Sequence, residues 1–471
     1  MAGRLDRAGQ PASVLTERTF ERTTEFPVAL DELWAWHHRS GCLERLVPPW
    51  EATTVVERSI DLAPGSRTVL EIKMGPLTKR WIAEHLAVDD PYTFRDDAIE
   101  GPFAKWSHTH AMRSTGDERS ALTDHVRYAV PMGRLGDFVA GSWVQNKIDA
   151  MFRYRHEVLA HDLDCHARFS RQPRMKILVS GSSGLVGSAL TAFLESGGHE
   201  VWRLVRRTPK EREVTWLPDS FELNPRDING FDAIVHLAGE NIAGKRWSDE
   251  QKANIRNSRI DGTKSLASAI AQCDEPPKVF VSASAIGYYG DRADERIDED
   301  STQGEGFLAE VVREWEAAAS PAKEAGVRVV NLRTGIVLSP AGGALQKMLL
   351  PFKLGGGGVI GSGKQWMSWI ALDDMVAAIH HVLQTEAIAG PVNMVAPSAV
   401  RNFEFTKTLG RVLRRPTIVP MPAFAARLAF GEMANELLLS GQHVHPRELV
   451  NSGFEFRYPN LEGALRHLLG R

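Results

Sequence analysis

The spacing of hydrophobic residues changes near the middle of the chain. Before residue 165, most apolar residues alternate with polar ones, as in antiparallel strands with one solvated face. Between residues 138 and 159 they recur near every 3.6 residues, which predicts an amphipathic helix. After residue 175, short continuous apolar runs alternate with helical segments, the pattern of a parallel sheet covered by helices. The pattern therefore predicts two folded regions of different class.

The first region predicts an α+β fold ordered as strand, short helix, six strands and long helix. The predicted helices cover residues 30–38 and 138–159, and the predicted strands cover residues 19–26, 52–58, 67–74, 80–88, 92–99, 104–113 and 120–130. This order resembles the helix-grip fold of the SRPBCC (START-like) superfamily, in which a curved sheet wraps a long helix around an apolar cavity. The resemblance and the six tryptophans of this half imply an apolar ligand; the alternative is that the rings fill the core.

The second region predicts a doubly wound α/β sheet with a nucleotide-binding loop. Its predicted strands cover residues 176–180, 201–205, 233–237, 278–282 and 328–332. The segment KILVSGSSGLVGSAL (176–190) places Gly181, Gly184 and Gly187 between a strand and a helix. These glycines permit a tight turn, a close approach of a pyrophosphate and close packing of helix on strand. The free N–H groups of the helix would then face the phosphates.

The end of the second predicted strand distinguishes between two cofactors. A carboxylate in this place usually binds the ribose of NAD, whereas this strand reads VWRLVRRTP and contains none. Guanidinium groups suit a 2′-phosphate, so Arg206 and Arg207 predict NADP(H) in preference to NAD(H). The alternative is a solvated basic strand end.

Several separated motifs occur together with this loop. They are HLAG (236–239), GENIAGKRWSDEQKANIRNSRIDGT (239–263), RTGIVLSPAGGALQKMLLPFKLGGGGVIGSG (333–363), SWIALDDM (368–375), NMVAPSAVRNFEF (393–405) and LLLSGQHVHPRELVNSGFEFRYPNLEGAL (437–465). Together they resemble the atypical, extended short-chain dehydrogenase/reductases called epimerase family proteins. Some of these carry the name cell-division inhibitor, and some bacterial ones have an SRPBCC domain in front. The resemblance implies NADP(H) binding by Gly181, Ser183, Gly184, Leu185, Val186, Gly187, Arg206, Arg207, Leu237, Ala238, Gly239, Arg259 and Val337.

The catalytic residues expected from that resemblance are incomplete. Active extended reductases use a Ser or Thr after the fifth strand and a Tyr-x-x-x-Lys pair, whose lysine lowers the pKa of the tyrosine. Ser284 in VSASAIGYYG fits the serine position best and Ser282 second, but Phe307 and Val311 stand where the pair would be. Tyr288 is a substitute proton donor, or else a packed ring with its hydroxyl satisfied. Two functions follow: an NADP(H)-dependent oxidoreductase or epimerase-like enzyme acting on a small molecule, or a binding module without turnover.

Three further signals have structural interpretations. The segment GVIGSGKQ (358–365) nearly spells a nucleotide-triphosphate loop, but it lacks the magnesium-binding hydroxyl and a preceding strand. His108 and His110 alternate on a predicted strand, yet no nearby pattern completes a metal site, so we expect solvated or hydrogen-bonded rings and no metal. Asp373 and Asp374 are expected to be a helix N-cap and a structural contact.

Composition and charge limit the remaining classes. The 471 residues carry a formal charge of -3, which does not favour a nucleic-acid partner. Three separated cysteines and the lack of a signal or membrane-spanning segment indicate a reducing, cytoplasmic location. Neither a substrate nor an oligomeric state follows from the motifs. The expected organisation is a disordered leader (1–16), the helix-grip domain (17–163), a linker (164–174), the NADP(H)-binding domain (175–410) and a small C-terminal domain completing a substrate cleft (411–471).

Overall fold

The chain forms two compact units. The computed structural model describes residues 16–58, 62–75, 77–217 and 223–471, so the expected leader lies almost wholly outside the described residues. The first unit comprises the described residues up to His38 and Glu51–Ala160, whereas the second comprises Arg39–Trp50 and His161–Arg471. A short segment from the N-terminal half of the chain thus belongs to the second unit.

The first unit contains an antiparallel sheet and a long helix. Its strands are β1 (Glu17–Phe26), β2 (Thr53–Glu57), β3 (Arg67–Met74), β4 (Leu77–Leu86), β5 (Thr93–Glu100), β6 (Lys105–Gly116) and β7 (Arg119–Ala129). Its helices are α1 (Leu30–His38) and α3 (Gly133–Ala167), and the residues of α3 from His161 onward belong to the second unit. Among the described residues the strand order is β1-β7-β6-β5-β4-β3-β2. Helix α3 continues to Ala167, so the expected linker (164–174) is shorter than the polar composition indicated.

The second unit is built on a parallel sheet. Its main strands are β8 (Lys176–Ser180), β9 (Glu200–Val205), β10 (Glu213–Thr215), β11 (Ala233–His236), β12 (Val279–Ala285), β14 (Arg328–Thr334) and β18 (Gly390–Met394). Their order within the described residues is β10-β9-β8-β11-β12-β14-β18, and each pair is parallel. Both faces of β8 and β11 are buried, which explains their continuous apolar sequences.

Helices cover this sheet, and short strands pair with one another in separate two-stranded sheets. The helices are α2 (Cys42–Leu46), α4 (Leu185–Ser196), α5 (Asp249–Ile270), α6 (Phe307–Ala317), α7 (Ser320–Glu324), α8 (Gly343–Lys353), α9 (Leu372–Gln384), α10 (Asn402–Leu413), α11 (Ala423–Phe430), α12 (Glu432–Ala434), α13 (Arg447–Asn451) and α14 (Leu461–Leu468). The short strands are β13 (Arg296–Ile297), β15 (Ile336–Leu338), β16 (Trp366–Met367), β17 (Trp369–Ala371), β19 (Val400–Arg401) and β20 (His443–Val444). No helix in the described part of the chain combines the length and hydrophobicity that crossing a bilayer requires.

A buried ionic network ties Arg39–Trp50 into the second unit. The Arg45 guanidinium on α2 donates to both carboxylate oxygens of Asp162 at 2.7 and 2.8 Å and to Asp373 at 2.9 Å. His467 lies 3.0 Å from the other oxygen of Asp373. Burial alone would raise the pKa of Asp373, but Arg45 and His467 hold it below its ordinary value.

The two aspartates of the DD motif lie in the first turn of α9. The N-cap of α9 is Ala371, with no side-chain cap, so the expected N-cap role is wrong. Asp373 instead binds Arg45, and Asp374 accepts the backbone N–H groups of Arg457 and Tyr458 at 2.9 and 3.0 Å. The expected structural contact is therefore made, through tertiary partners.

Candidate functional site

The central feature of the second unit is the point where strand order reverses. Strand β8 has β9 on one side and β11 on the other, and open parallel sheets bind ligands at the carboxyl ends of such strands. At these ends, Ser180 Oγ lies 2.7 Å from His236 Nδ1 and accepts the N–H of Leu237 at 3.2 Å. These bonds fix the ends of β8 and β11 to each other.

The glycine loop follows β8 directly and leaves no space for side chains. Gly181 has a φ of 68°, and a Cβ on it would lie 2.7 Å from the backbone N of Ala238. A Cβ on Gly187 would lie 2.1 Å from the carbonyl oxygen of Gly181. Both distances are shorter than any tolerated contact, so the loop, α4 and the end of β11 can approach only because these residues are glycines.

The first turn of α4 presents unpaired backbone donors beside this loop. Gly184 is the N-cap and provides no side-chain acceptor, and it is exposed like Ser183. Within an α-helix the first N–H groups lack an internal acceptor, which here concerns Leu185, Val186 and Gly187. Together with the helix dipole they form a site suited to an anion.

The three arginines near the end of β9 have different surroundings. Arg203 pairs with Glu195 at 2.6 Å, and Arg207 donates two hydrogen bonds, of 2.7 and 2.6 Å, to Glu213. Arg206 is exposed and makes no ion pair with any described residue. The predicted pair of cofactor arginines is thus unequal, because one of them already holds a carboxylate.

Arg259 is a cation in a half-buried position on α5. Its guanidinium lies 5.1 Å from the centre of the Trp315 ring, and one nitrogen donates to the carbonyl of Ile255 at 3.0 Å. A Cβ on Gly239 would lie 3.7 Å from the Arg259 Cζ, so the residue adjoins the HLAG motif. Loss of hydration lowers the pKa of Arg259 to about 10. Among the described residues it has no ion-pair partner.

Val337 adjoins the loop from the other side. It lies on β15, and a Cβ on Gly343 would meet both the Val337 carbonyl oxygen, at 3.6 Å, and the Leu185 side chain, at 3.5 Å. The structure therefore brings Val337 and Leu185 to one neighbourhood.

The predicted catalytic serine is engaged in a buried network. Strand β12 continues to Ala285, so Ser284 lies within the strand rather than after it, and its hydroxyl donates to Glu316 at 2.6 Å. Arg333 donates two hydrogen bonds of 2.8 Å to the same carboxylate. Ser282 donates to the neighbouring carbonyl of Ala283, at 3.3 Å, and to no other described residue. The sequence interpretation missed Glu316 and Arg333. Arg333 directly follows the predicted strand 328–332, whereas Glu316 is one of three charges in REWEAA and has no distinguishing signal.

The two adjacent tyrosines differ in what their hydroxyls contact. Tyr289 is fully buried; its hydroxyl donates to Asn393 at 2.8 Å and accepts from Arg333 at 3.0 Å, and burial raises its pKa to about 12. Tyr288 is half-buried, with the Arg333 guanidinium 3.6 Å from its ring centre. Its hydroxyl makes no hydrogen bond with a described residue. The alternative, in which Tyr288 is a packed ring with a hydrogen-bonded hydroxyl, therefore has no hydrogen-bond partner among the described residues.

The helix that carries the catalytic pair in active reductases is α6. Phe307 begins it and contacts Trp247 at 5.4 Å between ring centres, whereas Val311 is buried. Neither side chain supplies a proton. The glycine-rich segment 358–365 follows no described strand and is followed by β16 and not by a helix. It therefore lacks the strand–loop–helix order of a nucleotide-triphosphate loop.

The parallel sheet, its strand order and the glycine loop define a Rossmann-type α/β protein. Residues 177–395 match the model of the NAD dependent epimerase/dehydratase family, and residues 421–468 match a domain of unknown function, DUF1731. The epimerase family protein MT2273 of Mycobacterium tuberculosis is 45% identical over 296 residues, which are 63% of this chain and 98% of that protein. The human epimerase family protein SDR39U1 is 39% identical over 298 residues, 63% of this chain and all of the relative. The chain belongs to the epimerase family.

Two solved structures extend the comparison. A crystal structure described as the nucleoside-diphosphate sugar epimerase from Corynebacterium glutamicum is 34% identical, with a TM-score of 0.79, and covers 96% of this chain and 90% of its own. The crystal structure of human SDR39U1 (isoform 2) with NADPH is 37% identical, with a TM-score of 0.59, and covers 63% of this chain and 99% of its own. The first of them resembles both units of this chain.

Proposed function

We propose that the second unit binds NADP(H) and uses it for oxidoreductase or epimerase-like chemistry on a small molecule. The observation that carries the proposal is the side-chain-free cradle formed by Gly181, Gly184 and Gly187 against the end of β11. The residues fit the cofactor because the cradle offers unpaired N–H groups to a pyrophosphate. Arg206 and Arg259, neither of which forms an ion pair with a described residue, match further negative charge.

The cofactor, when bound, supplies or accepts a hydride. The backbone of residues 183–187 would hold its pyrophosphate, and Leu237 to Gly239 would border its adenosine half. Arg206 would contact the 2′-phosphate, with Arg207 contributing only after loosening its bond to Glu213. The NADPH in the human relative supports this preference over NAD(H).

Tyr288 is the best-placed residue for moving a proton to or from a substrate. Its hydroxyl has no partner among the described residues, whereas the Tyr289 hydroxyl is committed to Asn393 and Arg333. Ser284 would polarise a substrate only by releasing Glu316. The role of Ser284 is therefore to position the end of β12, unless substrate binding breaks its hydrogen bond to Glu316.

Binding without turnover is the second candidate function. Two observations favour it: Ser284 donates its only proton to Glu316, and Phe307 stands in place of the usual tyrosine. In this case cofactor occupancy would alter interactions of the protein and no hydride would be transferred.

Turnover assays separate the two candidates. We expect NADPH absorbance to decline steadily with a member of a panel of carbonyls and sugar nucleotides, and to stop declining in Tyr288→Phe. The matched control Tyr92→Phe removes a hydroxyl from the first unit and should leave the rate unchanged. Stoichiometric NADPH binding without turnover across the panel would favour the binding module, and absence of NADPH binding would refute both.

We propose a START-like helix-grip fold for the first unit, and a reducing cytoplasmic location for the protein. The antiparallel sheet and α3 support the former, and three free cysteines support the latter. The rings of Trp81, Phe103 and Trp106 contact one another, with centroids 4.9 to 5.7 Å apart. This packing supports the alternative in which aromatic residues fill the core, over an apolar ligand.

A further inference from the structure

Three neighbouring strands of the first unit bring a group of histidines and carboxylates together. Asp96 on β5 lies directly opposite His108 on β6, and His110 on β6 lies directly opposite Asp124 on β7. His108 and His110 are two residues apart, so both side chains lie on one face of the sheet. His156 on α3 reaches the same group. His108, His110, Asp124 and His156 are buried, and Asp96 is partly so.

Asp124 holds three imidazole rings in place. Its Oδ2 lies 2.8 Å from His156 Nε2, and its Oδ1 lies 3.2 Å from His108 Nε2. His110 Nδ1 lies 2.7 Å from Asp124 Oδ1, a contact whose angle departs from hydrogen-bond geometry. Asp124 therefore lies at the centre of the group and contacts all three rings.

The bond to Asp124 determines which nitrogen of His108 carries the proton. If Nε2–H donates to Asp124, Nδ1 has a lone pair, and it lies 3.6 Å from Asp96 Oδ2. That distance is too long for a hydrogen bond. It is close to the separation of two ligand atoms that each lie about 2.1 Å from one metal ion in tetrahedral geometry. A carboxylate behind a ligating histidine is the usual outer partner at metal sites.

A third ligand atom comes from His110. One atom each of Asp96, His108 and His110 lie within 4.8 Å of one another. Both rings are buried, and a neutral imidazole offers one lone pair to a metal ion.

We propose that Asp96, His108 and His110 bind one divalent transition-metal ion of the Zn²⁺ class, with Asp124 orienting His108 through the hydrogen bond to its Nε2. Two imidazoles and one carboxylate suit such an ion and are poor ligands for Ca²⁺ or Mg²⁺. Three protein ligands leave a coordination position for water or a small ligand. The partly exposed Asp96 provides the side from which the ion enters.

A second histidine group, in the other unit, is less suited to a metal. His166, His199 and His380 also place ligand atoms within 4.8 Å of one another. However, His199 Nδ1 accepts the backbone N–H of Met175 at 3.1 Å, so its proton is on Nε2. That nitrogen, which would have to face a metal, has no lone pair, and no carboxylate takes part.

The test uses the full-length protein without a histidine tag, stripped with a chelator. We expect titration with Co²⁺ to produce visible d–d absorption that saturates near one equivalent, and calorimetry to detect one Zn²⁺ per chain. Asp96→Asn, which keeps the shape of the side chain, should weaken the binding of both Co²⁺ and Zn²⁺ by at least about 100-fold. The control His125→Asn, on the neighbouring residue of β7 that points to the other face, should leave both unchanged.

Other outcomes would overturn the proposal. No Co²⁺ absorption and no Zn²⁺ heat with wild-type protein would show a purely structural hydrogen-bond network. Binding that survives Asp96→Asn but is lost in His166→Asn would assign the ion to the second unit. Thermal unfolding of each metal-free variant shows whether that variant folds. If Asp96→Asn does not fold, the titration of the wild-type protein decides whether a metal ion binds.

Discussion

Replacement of Arg206 by Ala should weaken NADPH binding far more than NADH binding. Arg206 is exposed at the end of β9 and has no carboxylate partner among the described residues, so its guanidinium is available to a 2′-phosphate. Hydrogen bonds to charged groups contribute about 1.5–3 kcal/mol, and solvent exposure places this contact near the lower end. At about 1.4 kcal/mol per factor of ten, we expect NADPH affinity to fall by roughly 10–30-fold.

Arg207→Ala provides the comparison within the same loop. Arg207 must give up two hydrogen bonds to Glu213 before it contacts a phosphate, so its removal should weaken NADPH binding by about 3-fold or less. Lys210→Ala, which removes a nearby exposed charge, controls for the general field of the loop. The dissociation constants of NADPH and NADH are measured by calorimetry at two salt concentrations. Equal weakening of both cofactors by Arg206→Ala, or a larger effect of Arg207→Ala, would refute the reasoning.

Three further predictions concern the second unit. Gly187→Ala should push the glycine loop away from α4, because the new Cβ would meet a backbone oxygen at 2.1 Å, and NADPH affinity should fall at least about 10-fold. Gly463→Ala is the control, because its Cβ would meet nothing within 4 Å. Equal NADPH titration curves for the two variants would contradict the prediction. Arg45→Ala leaves two buried carboxylates without their cation and should lower the free energy of unfolding by about 3–5 kcal/mol in a denaturant titration; a change below about 1 kcal/mol would disprove a buried pair. Burial lowers the pKa of His236 to about 4, against about 6.5 when unfolded, so the stability it contributes is present above pH 6.5 and is lost as pH falls to about 4. Unfolding measured across this range should be less pH-dependent in His236→Asn, and an unaltered dependence would contradict the assignment.

Local geometry explains why the nucleotide loop could be predicted from sequence. Gly181 and Gly187 are required by contacts within a few residues or with the adjacent strand end, so their spacing carries the information. Leu237 and Ala238 follow from the same argument, because the end of a parallel strand beside the loop must face it. The apolar strand patterns likewise predicted a parallel sheet, although not its strand order.

Partners that are distant along the chain could not be predicted in this way. Ser284 was expected to be free, but Glu316 lies 32 residues further on and occupies its hydroxyl. Asp373 was expected to cap its own helix, whereas Arg45, 328 residues earlier, binds it. In the first unit, His108 and His110 were separated from any carboxylate in sequence, and strand pairing brings Asp124 to them. A periodic pattern specifies which face is buried, but not which charged group it meets there.

The contribution of Arg39–Trp50 to the second unit bears on how the chain can be shortened. A fragment starting at Met175 would contain the glycine loop and the parallel sheet but neither Arg45 nor Asp162, and Asp373 would keep only His467 as a partner. Gly41 would also be missing from its place against the backbone of Ala192. A shortened chain for the coenzyme-binding half should therefore be supplied with residues 39–50 as a separate peptide, or should have Asp373 replaced by an uncharged residue of similar size.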